Sequence, residues 1–242
     1  MNITKFTYGQ RVLAGDPITV AAVRLRLPFR SHDARRGRST RYDLVVIGMG
    51  SAGGVAAEFA ATELGLRVAA IERARIGGDC LWTGCVPSKA LIASARVAHA
   101  VRHADHHAID AQEPAIDLKQ VWDRIKAIQS EIAATEDDPD RIRSVGVDVI
   151  EGDAHVAGPH TVVVGGRTLE SRYILVCTGS HPAVPPIDGL GDVEVLTSDT
   201  IFQIPRPPDS LVIVGGGPIA CELAQALERL GVDVVVLERG DR

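Results

Sequence analysis

The residues best suited to do chemistry are two cysteines separated by Leu-Trp-Thr-Gly. Five residues of regular helix rise about 7.5 Å, whereas the Cα atoms of a disulfide lie roughly 4.4–6.8 Å apart. A bond between Cys80 and Cys85 therefore requires irregular backbone between them, which Gly84 permits. Cys85 lies where the next helix should begin, and free N–H groups at a helix start stabilise a thiolate. The pattern fits a redox-active disulfide, half of a structural zinc site, or a pair of inert buried thiols.

Two glycine turns have the spacing that binds the pyrophosphate of a dinucleotide. Each follows an apolar stretch typical of a buried strand and precedes a helical stretch. In this fingerprint the first glycine makes the tight turn, the second admits the pyrophosphate, and the third lets the helix pack closely on the strand. An acid at the end of the second strand then accepts hydrogen bonds from a ribose. The positions are Gly48, Gly50, Gly53 and Glu72 in the first copy, and Gly215, Gly217, Ala220 and Glu238 in the second.

These turns predict two Rossmann units, and periodicity predicts the elements between them. Helices are expected over residues 87–102 and 116–135, and short strands over 147–151, 160–164 and 173–177. The Gly165-Gly166 pair suits a hairpin turn between the last two strands. A linker is marked by Pro182, Pro185 and Pro186. The predicted division is an extension over 1–40, a first domain over 41–185 and an incomplete second domain over 186–242.

Composition excludes several classes of protein. The chain has 242 residues, 45% of them apolar and 24% charged, with a net charge of -5. Nothing in this balance indicates nucleic acid or an anionic membrane as a partner. No apolar run reaches the roughly 18 residues of a membrane span. Four cysteines are too few for a secreted disulfide scaffold, so we expect a cytoplasmic protein.

The first forty residues differ from the rest because they are rich in arginine and poor in acids. Only Asp16 and Asp33 are acidic in this stretch. Such a leader is typical of a transit peptide. A disordered tail and a mis-assigned start codon are the alternatives.

The stretch from Gly77 to Leu91 resembles the active-site segment of the class I pyridine nucleotide-disulfide oxidoreductases. That family includes dihydrolipoamide dehydrogenase, glutathione reductase and mercuric reductase. The order of parts is similar too: a first fingerprint, the two cysteines, a Thr178-Gly179-Ser180 turn and a second fingerprint. The resemblance covers about 41–242. It implies an α/β fold with an FAD-binding Rossmann-like domain and β-meander, followed by the start of an NAD(P)-binding Rossmann domain.

The resemblance also implies roles for individual residues. Cys80 matches the thiol that attacks the substrate disulfide, and Cys85 matches the charge-transfer thiol against flavin C4a. Lys89 matches the lysine near flavin N5, where its charge would stabilise the reduced flavin, and Glu222 matches that lysine's partner. FAD is expected to contact Gly48, Gly50, Ser51, Gly53, Glu72, Gly78, Asp79, Thr178 and Gly179. The nicotinamide dinucleotide is expected to contact Gly215, Gly217, Ala220 and Glu238.

The second cofactor is expected to be NAD rather than NADP. A carboxylate at Glu238 would bind a ribose 2′-OH and repel a 2′-phosphate. Arg239 follows it directly and partly offsets that repulsion, so NADP stays possible. The implied substrates are a small disulfide, a dithiol such as dihydrolipoamide, or Hg(II).

Three features depart from the family pattern. Asp79 stands where many relatives have threonine beside the flavin phosphates, so it requires a metal ion, water or a proton nearby. Pro218 stands where some relatives have a tyrosine over the flavin. The sequence ends at Arg242, before the dimerisation domain that supplies a His–Glu pair from the partner subunit of a homodimer, and no residue here matches that pair. A truncated, inactive product is therefore the alternative function, and a thiol/histidine metal-binding protein is a further one.

The remaining candidates carry weaker signals. Four histidines cluster at the end of the helix predicted over 87–102: His99, His103, His106 and His107. They fit either a metal site or a solvated helix end. Cys177 and Cys221 lie among apolar residues and are interpreted as buried small side chains.

Overall fold

The computed structural model describes residues 41–240, which form two sheets with helices packed against them. The predictions for residues 1–40 lie outside this described part. The strands are β1 Arg41–Ile47, β2 Val68–Glu72, β3 Val147–Glu151, β4 Ala154–Gly158, β5 Thr161–Val164, β6 Arg167–Val176, β7 Ser210–Val214 and β8 Asp233–Leu237. The α-helices are α1 Ser51–Thr62, α2 Gly78–Trp82, α3 Cys85–Arg102, α4 Leu118–Thr135, α5 Pro139–Ser144 and α6 Pro218–Arg229. Short 3₁₀ turns cover Ala104–His107 and Leu190–Asp192.

The larger sheet brings the functional loops to one edge. It has six strands in the order β3-β2-β1-β6-β5-β4. Its first four strands run parallel, and β1 is buried between β2 and β6. An uninterrupted apolar run, Val45-Val46-Ile47, suits such a central parallel strand because both faces are covered. The loops that follow β1, β2 and β6 therefore meet at the carboxyl edge of the sheet.

The β-meander follows the prediction with one addition. The Gly165-Gly166 pair forms the turn between β5 and β6, with φ of 54° and 76°. Both values lie in the left-handed region that glycine adopts without strain. The last strand is longer than predicted because its first residues pair with β5 and its later ones with β1. Strand β4 was not predicted; it is an edge strand whose residues are mostly exposed.

The predicted helices are present with shifted starts. Cys85 is the first residue of α3, as expected for the second cysteine. The α4 helix begins at Leu118 because the Asp117 side chain accepts hydrogen bonds from the amides of the first turn. A short helix that was not predicted, α5, starts with Pro139 after a capping Asp138.

The smaller sheet pairs β7 with β8 in parallel, with α6 between them along the chain. Its helix packs on α3 and α4 through a common core that includes Leu91, Trp122 and Leu227. The rings of Trp122 and Phe202 stack with centroids 5.9 Å apart. The division at residues 185/186 stays a prediction, and this core joins residues from both sides of it.

None of the helices within residues 41–240 combines the length and apolarity that crossing a membrane requires.

Candidate functional site

The first glycine turn is shaped by contacts that leave no room for side chains. Gly48 has φ of +94°, and a Cβ there would lie 2.3 Å from the Cys177 carbonyl oxygen. A Cβ on Gly53 would lie 1.8 Å from the Gly48 carbonyl oxygen. Strand β1 and helix α1 therefore touch backbone to backbone. Gly50 precedes α1 without a capping side chain and Ser51 begins the helix exposed, so the first amides are open to an anion.

The segment that carries both cysteines, residues 77–85, lies directly beside this turn, and we call it the redox segment. Gly50 and Gly77 form a parallel bridge, and the Gly77 N–H donates to the Met49 carbonyl at 2.9 Å. A Cβ on Gly78 would lie 2.7 Å from the Gly50 Cα atom. The contact between the two turns therefore requires glycine on one side. It brings the segment that carries both cysteines to the predicted phosphate-binding helix start.

The two acids predicted to bind riboses also close their own glycine turns. Glu72 accepts from the Met49 N–H at 2.7 Å and from the Ala74 N–H at 2.9 Å. Glu238 makes the equivalent contact with the Gly216 N–H at 2.5 Å. It also accepts from the Arg239 and Gly240 amides at 2.7 and 3.0 Å. These backbone bonds, with Gly240 first, hold the pKa of Glu238 below its ordinary value.

Irregular backbone separates the cysteines, as the spacing requires. After α2, Thr83 has φ/ψ of −133°/−12° and Gly84 has −120°/−101°. The Gly84 N–H turns back to the Asp79 carbonyl at 2.5 Å, and α3 then begins at Cys85.

The two cysteines of the predicted pair are both free thiols in this structure. Burial, followed by the hydrogen bond to Cys85 and the charge of Cys85, raises the pKa of Cys80 to about 11. Cys80 therefore keeps its proton at neutral pH unless a base removes it.

Lys89 and Glu222 meet across the contact between α3 and α6. The Lys89 Nζ and Glu222 Oε2 atoms are 2.6 Å apart, and both side chains are exposed, at 61% and 45%. Lys89 also lies one helical turn after Cys85, on the same face of α3. The structure thus assembles three of the predicted catalytic positions from two helices.

Asp79, Thr178 and Gly179 also meet at this edge of the sheet. Gly179 has φ of +68°, and a Cβ there would lie 3.5 Å from Asp79 Oδ2. Thr178 precedes it in the loop that follows β6 and is exposed. The carboxylate of Asp79 therefore faces the loop predicted to contact FAD.

The second glycine turn is more open than the first. A Cβ on Gly215 or Gly217 would meet no atom within 4 Å, and Ala220 lies in the first turns of α6. This fingerprint belongs to the smaller sheet, and Glu222 of the following helix contacts Lys89 on α3. The interpretation of Cys221 as buried is wrong: its thiol is exposed and contacts the Gly216 carbonyl at 3.4 Å. Helix α6 buries a different face, through Leu223, Ala226 and Leu227.

Three rings of the histidine cluster lie close together at the end of α3, in tilted and edge-on arrangements. The rings of His99 and His103 have centroids 4.1 Å apart, and those of His103 and His106 are 5.6 Å apart. Desolvation and the nearby Arg229 cation lower the pKa of His99. Within residues 41–240, no three His, Cys, Asp or Glu side chains are grouped so as to hold a metal ion.

Three side chains that support the redox segment were not predicted from the sequence. The Trp82 indole N–H donates to the Ile76 carbonyl at 2.8 Å, and the Arg75 guanidinium lies 4.1 Å from the centroid of the Trp82 ring. Gln129 reaches the same segment from α4. A polar residue within the apolar face of a predicted helix is the one signal that could have identified Gln129.

Comparisons with known proteins agree with this geometry. The family model described as pyridine nucleotide-disulphide oxidoreductase matches residues 42–242. The chain is 34% identical to a mercuric reductase of Staphylococcus aureus, over 85% of this chain and 37% of that protein. It is 34% identical to a dihydrolipoyl dehydrogenase of Bacillus subtilis, over 84% of this chain and 45% of that protein. The solved HOCl-induced flavoprotein disulfide reductase RclA from Escherichia coli matches with a TM-score of 0.67 and 28% identity, over 83% of this chain and 43% of that chain. The chain thus spans less than half the length of each of these relatives.

Proposed function

Because this chain belongs to the pyridine nucleotide-disulphide oxidoreductase family, we propose that it passes electrons between NAD(P)H, FAD and the Cys80–Cys85 pair. The observation that carries the proposal is the contact of Gly50 with Gly77 and Gly78, which brings the pair to the phosphate-binding turn. The Lys89–Glu222 ion pair, one turn beyond Cys85, supports the same assignment. The proposed activity is that of the whole protein, because this chain spans less than half the length of either relative.

The residues around the first glycine turn fit FAD. Uncapped amides at the start of α1 suit a pyrophosphate, and Glu72 suits the adenosine ribose at the end of β2. Gly50, Gly78 and Gly179 keep side chains out of the space beside the carboxyl edge. Asp79 is the exception, because its carboxylate would lie close to a negatively charged phosphate. When bound, FAD would take a hydride's two electrons from the nicotinamide and exchange them with the cysteines.

The second turn fits a nicotinamide dinucleotide, and we propose NADH. Gly215 and Gly217 leave the start of α6 open. Glu238 stays ionised because backbone amides stabilise its carboxylate, so it favours a ribose hydroxyl over a 2′-phosphate. NADPH is the weaker alternative, supported by the adjacent Arg239.

The cysteines can reduce a small disulfide in two exchange steps. The Cys80 sulfur, after losing its proton, attacks one sulfur of the substrate disulfide and releases a substrate thiolate. The Cys85 sulfur then attacks Cys80, which forms the Cys80–Cys85 bond and releases the second thiolate. The substrate gains two electrons and the pair loses two, and both substrate thiolates take protons from solvent. The reverse sequence oxidises a dithiol.

The substrate class is a small disulfide, a dithiol or Hg(II). Thiolates are the ligands that soft metal ions prefer, so the same pair suits Hg(II). The high pKa of Cys80, about 11, means that exchange at neutral pH requires a base. We propose that a homodimer supplies this base from the partner subunit, as the family resemblance implies.

A flavin titration tests the proposed function. We expect the protein to bind FAD, and the bound flavin to be reduced faster by NADH than by NADPH in anaerobic stopped-flow absorbance. Glu72→Gln keeps one acceptor oxygen for the turn but should weaken FAD binding. Glu151→Gln is the matched control, because Glu151 lies opposite Glu72 in register on β3 and has no predicted role. Absence of FAD binding, or faster reduction by NADPH, would contradict the respective parts of the proposal.

A charge-removing substitution tests Lys89. We expect Lys89→Met to slow reduction of the bound flavin on the order of 10²-fold, the usual effect of losing one charged stabilising group. The free energy of unfolding should change by only about 1 kcal/mol or less, because exposed ion pairs contribute little. Rapid-mixing absorbance and urea unfolding measure the two effects.

The control for Lys89 is Lys119→Met. Lys119 forms a similarly exposed ion pair with Asp123 at 2.5 Å on α4. Its loss should have an equally small effect on stability and none on flavin reduction. Equal rates of flavin reduction in the two variants would rule out a role for Lys89 beyond its ion pair.

A further inference from the structure

We propose that Gln129 is a positioning residue for the Cys80–Cys85 pair, and that its side-chain amide favours the disulfide by holding the end of α2. The inference rests on the proposed function, since it concerns how that pair is poised between dithiol and disulfide. Gln129 belongs to α4 and lies 48 residues from the first carbonyl that it contacts.

The contact is buried and uses both amide hydrogens. Gln129 is 5% exposed. Its Nε2 donates to the Leu81 carbonyl at 2.9 Å and to the Trp82 carbonyl at 2.9 Å. A buried polar side chain costs free energy unless it is hydrogen-bonded. The redox segment therefore supplies the acceptors that stabilise an amide at this position.

These carbonyls need a donor from outside their own helix. Helix α2 has five residues, and the last carbonyls of a helix have no intrahelical partner. The Gly84 amide, three residues after Leu81, turns back to the Asp79 carbonyl, so it is not available to the Leu81 carbonyl. Gln129 thus supplies the donors that let α2 end at Trp82 and the chain turn toward Cys85.

The start of the segment is held by a different contact, the hydrogen bond from the Gly77 N–H to the Met49 carbonyl. The Trp82 indole also donates to the Ile76 carbonyl, and the Leu81 side chain, at 2% exposure, anchors the later part of α2. The backbone between Leu81 and Cys85 is fixed to α4 through Gln129, and this stretch sets the separation of the two sulfurs.

Holding two thiols close together favours the bond between them over bonds with external thiols. Disulfide geometry tolerates only a narrow range of Cα separation. If the stretch after Leu81 loosens, the thiols sample more separations, the disulfide becomes easier to reduce, and Cys80 becomes more accessible to water. Water access offsets the burial that is the largest cause of the raised pKa of Cys80.

The test is a thiol–disulfide equilibrium of the whole chain in glutathione buffers. The oxidised fraction of the Cys80–Cys85 pair is read by alkylation and mass spectrometry. Gln129→Leu removes both donors, and Gln129→Met does so with a more adaptable side chain, in case the first variant does not fold. We expect either variant to shift the equilibrium about 10-fold toward the dithiol, which is about 30 mV for two electrons. The pH midpoint of Cys80 alkylation should also fall below that of the wild type, because water access offsets the burial that raises the pKa of Cys80.

Ile125→Val is the matched control. Ile125 is buried on α4 one turn before Gln129. Its substitution loosens the packing of the same helix but removes no hydrogen bond to α2. It should leave both the equilibrium and the alkylation profile unchanged. If the Gln129 variants shift no further than Ile125→Val, the positioning role is wrong. Because the assay needs neither FAD nor nicotinamide, a wild-type pair that never oxidises at any glutathione ratio would instead reject the proposed function.

Discussion

Replacing Gly53 with alanine should unfold the first Rossmann unit or lower its free energy of unfolding by more than about 3 kcal/mol. A Cβ at this position would lie 1.8 Å from the Gly48 carbonyl oxygen and 3.1 Å from a Val46 methyl group. The closest contact is with backbone, which cannot swing away as a flexible side chain can, so α1 must separate from β1. Urea unfolding followed by circular dichroism measures the loss, and FAD binding should disappear with it.

Gly54→Ala is the matched control in the same helical turn. A Cβ there would meet nothing closer than the Met49 carbonyl oxygen at 3.8 Å, which is an ordinary contact. Alanine is favoured over glycine inside a helix by roughly 0.5–1 kcal/mol. The control should therefore be neutral or slightly stabilising. A Gly53→Ala variant as stable as Gly54→Ala would show that the strand–helix contact is not as close as the structure has it.

Helix α3 joins the two parts of the proposed electron path. It begins at Cys85, presents Lys89 one turn later, and packs against α6, which carries Glu222. At its other end the Arg102 guanidinium donates to the Arg229 carbonyl at 2.5 Å, where α6 ends. The contact is thus made near both ends of α6. A shift of α6 relative to the larger sheet would therefore be transmitted to Lys89 and to the start of α3.

Features with a local cause could be predicted from the sequence. The glycine fingerprints, the start of α3 at Cys85 and the Gly165-Gly166 turn each depend on backbone conformations that a few neighbouring residues determine. The Lys89–Glu222 pair spans 133 residues and was predicted only through the family resemblance. Local periodicity contains no information on which helices pack together.

The features that were missed depend on tertiary contacts or on weak local signals. Gln129 contacts α2 because α4 packs beside it, and nothing in residues near Gln129 indicates that partner. Strand β4 is an exposed edge strand, so it lacks the apolar alternation that predicts a half-buried strand. The thiol of Cys221 is exposed because α6 buries the face that carries Leu223 and Leu227. The bonds of Glu72 and Glu238 to their turns appear only once strand and turn are folded together.

Two-electron reduction of the FAD-bound protein should produce a long-wavelength charge-transfer band that depends on Cys85. Burial and the neighbouring Cys85 raise the pKa of Cys80, whereas Cys85 is the first residue of α3, one turn before Lys89. Cys85→Ser should abolish the band. Cys80→Ser should retain it, or show it before any reductant is added, because Cys85 then has no disulfide partner. Either substitution should reduce disulfide reductase turnover by at least about 10³-fold, since each sulfur forms and breaks a bond in the exchange.

Cys221→Ser controls for the loss of a thiol as such. Cys221 is exposed on α6. Within residues 41–240 its one side-chain hydrogen bond goes to the backbone of the second glycine turn. The band and the turnover should match those of the wild type. A second comparison uses pH. Cys85→Ser removes the charge of Cys85, which helps to raise the pKa of Cys80, so Cys80 should be alkylated at lower pH in that variant. If the band survived in Cys85→Ser and vanished in Cys80→Ser, the two thiols would have exchanged roles, and the start of α3 would carry the thiol that attacks the substrate.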